Sequence, residues 1–191
     1  MRTQCLCAIL VATPALAQSS VIIDVDEPTL LPGQSTTVTL SAAFPTFEYA
    51  MAGIATDLLS SVGATGWSDV SLVTPMDGPG TSIGVPTSDG FERILAGQLN
   101  FGPAGFEPSL DNPIAFWQAT YTAPVDPTRA FEVDLSTMTS RFEVYIMPDS
   151  HESRAYLDDL VEGSATIHVI PAPAGASVLA LGLAAGTRRR R

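Results

Sequence analysis

The segment from Gln34 to Phe44, QSTTVTLSAAF, decides the fold. Val38, Leu40, Ala42 and Phe44 alternate in it with Thr37, Thr39, Ser41 and Ala43. A period of two places the first set on one face of an extended chain and the second on the other, the pattern of a half-buried strand. The same alternation recurs on either side. Val21, Ile23 and Val25 alternate with Ile22, Asp24 and Asp26, and Phe131, Val133 and Leu135 with Glu132, Asp134 and Ser136. Phe142, Val144 and Ile146 alternate with Glu143, Tyr145 and Met147, and Ala165, Ile167 and Val169 with Thr166 and His168. Less regular strands are expected over 49–58, 67–74, 91–101 and 114–123, giving about nine in all. Pro and Gly clusters such as LPGQ (31–34), PMDGPG (75–80), SDG (88–90) and APVDPT (123–128) punctuate them. Short strands with frequent turns and one shared core predict an all-β protein, an antiparallel β-sandwich of jelly-roll type spanning 18–170 as one domain.

The two ends read differently. MRTQCLCAILVATPALAQSS has a basic n-region at Arg2, an apolar run over Cys5–Ala12 and an A-x-A site at Ala15-Leu16-Ala17. That is the build of an N-terminal signal helix (1–17), with cleavage by signal peptidase leaving Gln18 first. Both cysteines, Cys5 and Cys7, lie in this segment. The domain after it therefore holds together by its core and not by disulfides. Between Asp24 and Glu162 stand all twenty acidic residues against four arginines, a balance of −16, and the chain has no lysine. Such a surface repels phosphate backbones, which argues against nucleic-acid binding, and favours solubility, divalent cations or basic partners.

At the other end, IPAPAGASVLALGLAAGTRRRR (170–191) sets a small-residue apolar run before four arginines. As a helix, Ala172–Thr187 covers about 24 Å, short of the ~30 Å hydrocarbon core. Arg188, Arg189, Arg190 and Arg191 would stay cytoplasmic while the domain lies outside. A proline motif, then a short hydrophobic helix, then a terminal basic cluster resembles the PEP-CTERM sorting signals of Gram-negative bacteria. Pro171-Ala172-Pro173 stands where that family has Pro-Glu-Pro, with Ala172 departing from the pattern. The resemblance implies an exosortase-type membrane protease as processing partner, transient residence in the inner membrane, and delivery to the cell surface or beyond it.

A second resemblance covers most of residues 21–170. PGQSTTVTLSAAF, YAMAGIATDLL, NPIAFWQATYTAP and EGSATIHVI follow the order of strands and turns in cohesin and related carbohydrate-binding sandwiches. It implies a cohesin-like fold and carries over no ligand-contacting residue.

Few constellations suggest chemistry. Gly80-Thr81-Ser82-Ile83-Gly84 fits G-x-S-x-G, but a nucleophile elbow needs a strand turning sharply into a helix, and Pro86 follows with no helical pattern, so a loop is expected. Asp149, His151 and Glu152 offer one or two metal ligands where a catalytic zinc needs three, and His168 reads as a solvated strand residue. The acidic loops at Asp24, Asp26 and Glu27, at Asp77, at Asp111-Asn112 and at Asp158-Asp159 carry the oxygen ligands that calcium prefers, although no EF-hand spacing is present. Trp117 shares parity with Ala115, Ala119 and Tyr121 and reads as core. Trp67 shares parity with Asp69 and Ser71, opposite Val70 and Leu72, which makes it a candidate outward platform for a sugar face, with packing at an edge as the alternative.

The sequence thus points to an exported, non-enzymatic β-sandwich sorted to the cell surface, with a role in adhesion or the extracellular matrix and no cofactor beyond candidate calcium. The competing reading is a binding module for polysaccharide or for a dockerin-like protein, with Trp67 in its site. A surface hydrolase would require two carboxylates facing each other across a cleft.

Overall fold

The computed structural model describes residues 18–100, 107–125, 129–148 and 150–171. The signal helix expected over 1–17 and the hydrophobic helix expected beyond 171 lie outside them, and among the described residues no helix is long and apolar enough to cross a membrane.

Among the described residues eleven strands follow in order: β1 (Ser20–Val25), β2 (Thr29–Leu30), β3 (Ser35–Ala43), β4 (Ala50–Ser60), β5 (Trp67–Leu72), β6 (Ser82–Thr87), β7 (Gly90–Gly97), β8 (Ile114–Thr122), β9 (Phe131–Tyr145), β10 (Ser153–Ala155) and β11 (Ser164–Val169). They form two sheets, one ordered β1-β3-β8-β5 and the other β2-β11-β9-β4-β7-β6, with β10 also paired to β9. Pairing is antiparallel throughout except between β2 and β11. The alternation read from 34–44 holds residue by residue: Val38, Leu40 and Ala42 are buried while Thr37, Thr39 and Ser41 face out. Phe116, Trp117 and Tyr121 of β8 meet Leu58, Ile94 and Phe142 of the larger sheet in one core. Each large side chain so buried contributes roughly 1.5–3 kcal/mol from apolar area removed from water.

Three features depart from the expectation. First, β9 runs unbroken for 15 residues where two strands are expected. The alternation falters at Thr137–Arg141 because the register with β4 shifts between Ala55 and Thr56, leaving Ser140 as the extra residue. The Glu162 carboxylate takes over there, accepting from Thr139 N at 2.6 Å and from the Thr137 and Thr139 hydroxyls at 2.7 and 2.9 Å. Second, Ser82–Thr87, read as loop, is strand β6, paired with β7 from Ser82↔Leu95 to Thr87↔Gly90. Its Gly84 (φ +91°) and Pro86 are tolerated because it is an edge strand with one side unpaired. Ser82 of the G-x-S-x-G match therefore opens a strand, and its hydroxyl accepts from Gly84 N at 3.2 Å. Third, the two extra short strands β2 and β10 are of two and three residues, too brief for periodicity to reveal.

Of the two readings of Trp67, the structure shows packing at the sheet edge and not the outward platform. Trp67 pairs with Tyr121 and Leu72 with Trp117, six residues against five, so β5 carries a bulge between Ser68 and Ser71. Asp69 adopts φ +51° within it. The extra residue flips the parity, and Trp67 joins Val70 and Leu72 against the core. Its ring centroid lies 5.3 Å from Tyr121 and 5.9 Å from Phe91, which makes it part of an aromatic cluster at the sandwich edge and not a platform.

Candidate functional site

On the outward face of the larger sheet, β4 and β7 run side by side with little side chain between them. Gly53 and Gly97 are register partners, and Ala55 pairs with Leu95 two residues along, on the same face. A Cβ on Gly53 would lie 3.3 Å from Ala96 O, and one on Gly97 3.1 Å from Ala52 O. The result is a groove of about 360 Å³ with a floor of backbone and small apolar side chains.

Two walls rise from it. The turn Gly78–Thr81 is held to the end of β7 by Gly97 N to Met76 O (2.9 Å) and Gly78 N to Gly97 O (3.0 Å), and the Thr81 hydroxyl closes the turn on Gly78 O at 2.7 Å. Opposite it stand Arg141, Glu143 and Tyr145 of β9, with His151 and Ser153 from the β9–β10 hairpin. Arg141 Nη2 donates to Glu143 Oε2 at 2.7 Å, and the Ser153 hydroxyl donates to the same oxygen at 3.3 Å. The hydrogen bond from Arg141 holds the Glu143 carboxyl below its ordinary value against the opposing effect of partial burial, and raises the Arg141 guanidinium in turn. Burial raises the Tyr145 phenol, which stays neutral and donates to Gln98 O at 2.9 Å. Gln98 anchors the groove end: its amide donates to Met51 O (2.7 Å) and Ser109 O (3.1 Å) and accepts from Ser109 N (2.8 Å).

A second polar knot stiffens the far side of the hairpin. Glu48, with its side chain only 4% exposed, accepts from Arg154 Nη1 at 3.0 Å and from the Tyr156 hydroxyl. It ties the segment before β4 to β10 and the residues after it.

The residues singled out by sequence are scattered by comparison. Gln18 donates from its amide to Asp159 O at 2.9 Å, and Pro171 is the last residue described. Ala15, Ala17, Ala172, Pro173 and Arg188 to Arg191 lie outside the described residues, as does Asp149. His168 faces outward, 3.2 Å from Glu132. Among the described residues no three of His, Cys, Asp and Glu gather as a metal-holding group. Asn112 is committed to Phe44, accepting from its N at 3.1 Å and donating to its O at 2.7 Å, and Asp77 accepts from the Thr74 hydroxyl at 2.9 Å. The sequence reasoning missed Gly53, Gly97, Arg141 and Glu143. Only the two glycines left a signal, because glycine inside a strand pattern marks a place where another backbone or a ligand comes close, and both YAMAGIATDLL and RILAGQL carry one.

The fold has counterparts among solved structures. A type I cohesin from Pseudobacteroides cellulosolvens is similar at a TM-score of 0.53 and 15% identity, over 81% of this chain and 92% of that one. A type I cohesin–dockerin complex from Clostridium thermocellum matches at 0.51 and 11%, over 84% and 99%. A cohesin from Clostridium acetobutylicum matches at 0.50 and 13%, over 83% and 94%. The chain is thus a β-sandwich of cohesin-like fold. No protein-family model and no curated protein matches it.

Proposed function

We propose that this chain is a non-catalytic protein-binding module, exported and displayed at the surface of a Gram-negative-type bacterium, where it serves adhesion or matrix assembly. The groove carries the reading. Its floor is backbone and small apolar groups, its rim holds an ion pair and hydroxyls, and exposed Leu95 and Met138 stand on the same outward face. An apolar centre with a polar rim is the layout of a protein-recognition surface. The likeness to a cohesin solved in complex with a dockerin supports a protein occupant. The two terminal sequences support export by signal peptidase and sorting by an exosortase-type protease.

The test uses the absence of cysteine after Cys7. Ser153→Cys places a unique thiol on the groove wall for a benzophenone label, and Asp158→Cys places one on a turn outside the groove. Photolysis on intact cells is expected to give one major protein adduct at position 153 that Leu95→Glu abolishes. Equal adducts at 153 and 158, or adducts unaffected by Leu95→Glu, overturn the reading.

A further inference from the structure

The opposite face of the molecule has a different chemistry. Among the five strands of eight or more residues, β4, β7 and β9 carry charged side chains, whereas β3 (STTVTLSAA) and β8 (IAFWQATYT) carry none. These two lie side by side at the centre of the smaller sheet. Their outward residues form cross-strand rows: Ser35 with Thr122, Thr37 with Thr120, Thr39 with Gln118. β5 extends the rows with Ser68 beside Thr120 and Ser71 beside Gln118. On the other flank Asp24 of β1 stands beside Thr39 and Ile22 beside Ser41.

Strand geometry spaces these rows about 6.7 Å apart along the chain and about 4.8 Å from strand to strand. The Ser35 and Thr122 hydroxyls satisfy each other at 2.8 Å. The Thr37, Thr39, Ser41 and Thr120 hydroxyls, the Gln118 amide and the Ser71 hydroxyl make no side-chain hydrogen bond among the described residues. Each is a donor and an acceptor directed outward. High β-propensity accounts for threonine on a strand. It does not account for the exclusion of every carboxylate from two central strands of a domain that carries twenty of them.

We propose that this face binds an uncharged polysaccharide. A neutral glycan offers hydroxyls that both give and take hydrogen bonds, the same dual capacity as the rows on β3 and β8. With no charge on β3 and β8, contact centred on them strips water from hydroxyls and one amide, while the carboxylates of this sheet, Asp24 on β1 and Asp69 on β5, where it accepts from the Ser68 hydroxyl at 3.0 Å, stand at the flanks. An acidic polysaccharide is disfavoured by the surrounding −16 balance. Four strands give a surface roughly 14 Å wide and, along the nine residues of β3, about 30 Å long, the shape of a site for a linear polymer. The surface lies across the sandwich from the groove on β4 and β7, so one module could hold a protein partner and a matrix polysaccharide at once.

Affinity electrophoresis of the domain in gels containing a soluble neutral β-glucan, a galactomannan or alginate provides the test, with pull-down on amorphous cellulose beside it. Retardation is expected with at least one neutral polymer and not with alginate. Thr39→Asp and Thr120→Asp should each weaken retention at least tenfold, while Thr39→Ser retains it. Leu95→Glu in the groove should leave glycan retention unchanged, which separates this proposal from the protein-binding reading. If the aspartate variants unfold, Gln118→Ala with Ser71→Ala serves in their place, checked by an unchanged melting temperature. No retention by any neutral polymer, equal retention by alginate, or full retention by the folded variants overturns the proposal.

Discussion

Gly53 on β4 and Gly97 on β7 are register partners across the floor of the groove, each so close to the neighbouring strand's carbonyl that a side chain would have to push the strands apart. The groove exists because neither position carries a Cβ. Gly97→Val is expected to destabilise the domain by about 1–3 kcal/mol through this overpacking. For a domain of this size that corresponds to a fall in melting temperature of roughly 3–10 °C. Calorimetry reads it, and an unchanged melting temperature would mean that the strands part at no cost and that the floor is not fixed by glycine.

The two tryptophans separate a hydrogen bond from simple bulk. Trp117 is fully buried and its Nε1 donates to Ile83 O at 3.0 Å. The buried Nε1 of Trp67 has no hydrogen-bond partner among the described residues. Replacing either by Phe removes similar volume, but only Trp117→Phe deprives a carbonyl of its donor. Trp117→Phe should therefore cost at least about 1 kcal/mol more than Trp67→Phe. Urea titrations of the two variants give the comparison, and equal costs would refute the assigned role of the Ile83 contact.

The same pair shows how far the sequence could be read. Strand existence was legible wherever one face meets the core and the other meets water, as at 34–44, because burial imposes the period of two. The parity of Trp67 was not, since the bulge at Asp69 leaves no mark in an apolar pattern of six residues. β6 was hidden by Gly84 and Pro86, which elsewhere signal a loop but are permitted on an edge. The groove was the least legible feature of all. It arises where two strands far apart in sequence bring glycines to the same height, and that coincidence depends on register, which periodicity does not encode.

The clasp at Glu48 makes a prediction about coupling. Its carboxylate is buried and accepts from both Tyr156 and Arg154. Burial, and after it the hydrogen bond to Glu48, raises the Tyr156 phenol, so the neutral hydroxyl is the species that donates. In a double-mutant cycle of Glu48→Gln and Tyr156→Phe the coupling should be about 1–3 kcal/mol, as for a hydrogen bond to a charged group. Additive effects would show that the hairpin is held by packing alone.

Arg141 and Glu143 predict a pH dependence with a definite sign. The folded-state pKa of Glu143 is lowered, chiefly by the hydrogen bond from Arg141. The stabilisation is therefore present above the ordinary carboxylate value of about 4.3 and is lost as pH falls through the lowered one. Arg141 is 63% exposed, so solvent screening limits the contribution to under about 1 kcal/mol. The stability difference between the native chain and Arg141→Gln should stay constant from about pH 7 to 5 and close below about pH 4. A difference that persists at lower pH belongs to packing of the arginine stem and not to the ion pair.

The last prediction concerns the chain beyond β11. The final backbone bonds of the domain run from His168 N to Pro28 O at 2.7 Å and from Ile170 N to Leu30 O at 3.0 Å, and exposed Pro171 follows them. A cut after Pro171 would therefore remove none of the described backbone hydrogen bonds. If 171–191 is a sorting signal, its apolar run has to hold the precursor in the inner membrane only until it is processed, so a span shorter than the ~30 Å hydrocarbon core suffices. The arginines meanwhile keep its end cytoplasmic. The mature species should run from Gln18 to near Ala174, with the melting temperature of the domain unaltered by the loss of the tail. Replacing Arg188 to Arg191 with neutral residues should cause precursor to accumulate, and replacing Pro171 and Pro173 should block cutting while membrane association persists. Intact-mass spectrometry of the surface fraction measures the outcome. A surface species that still ends in GTRRRR would make the tail a lasting anchor and remove the processing step.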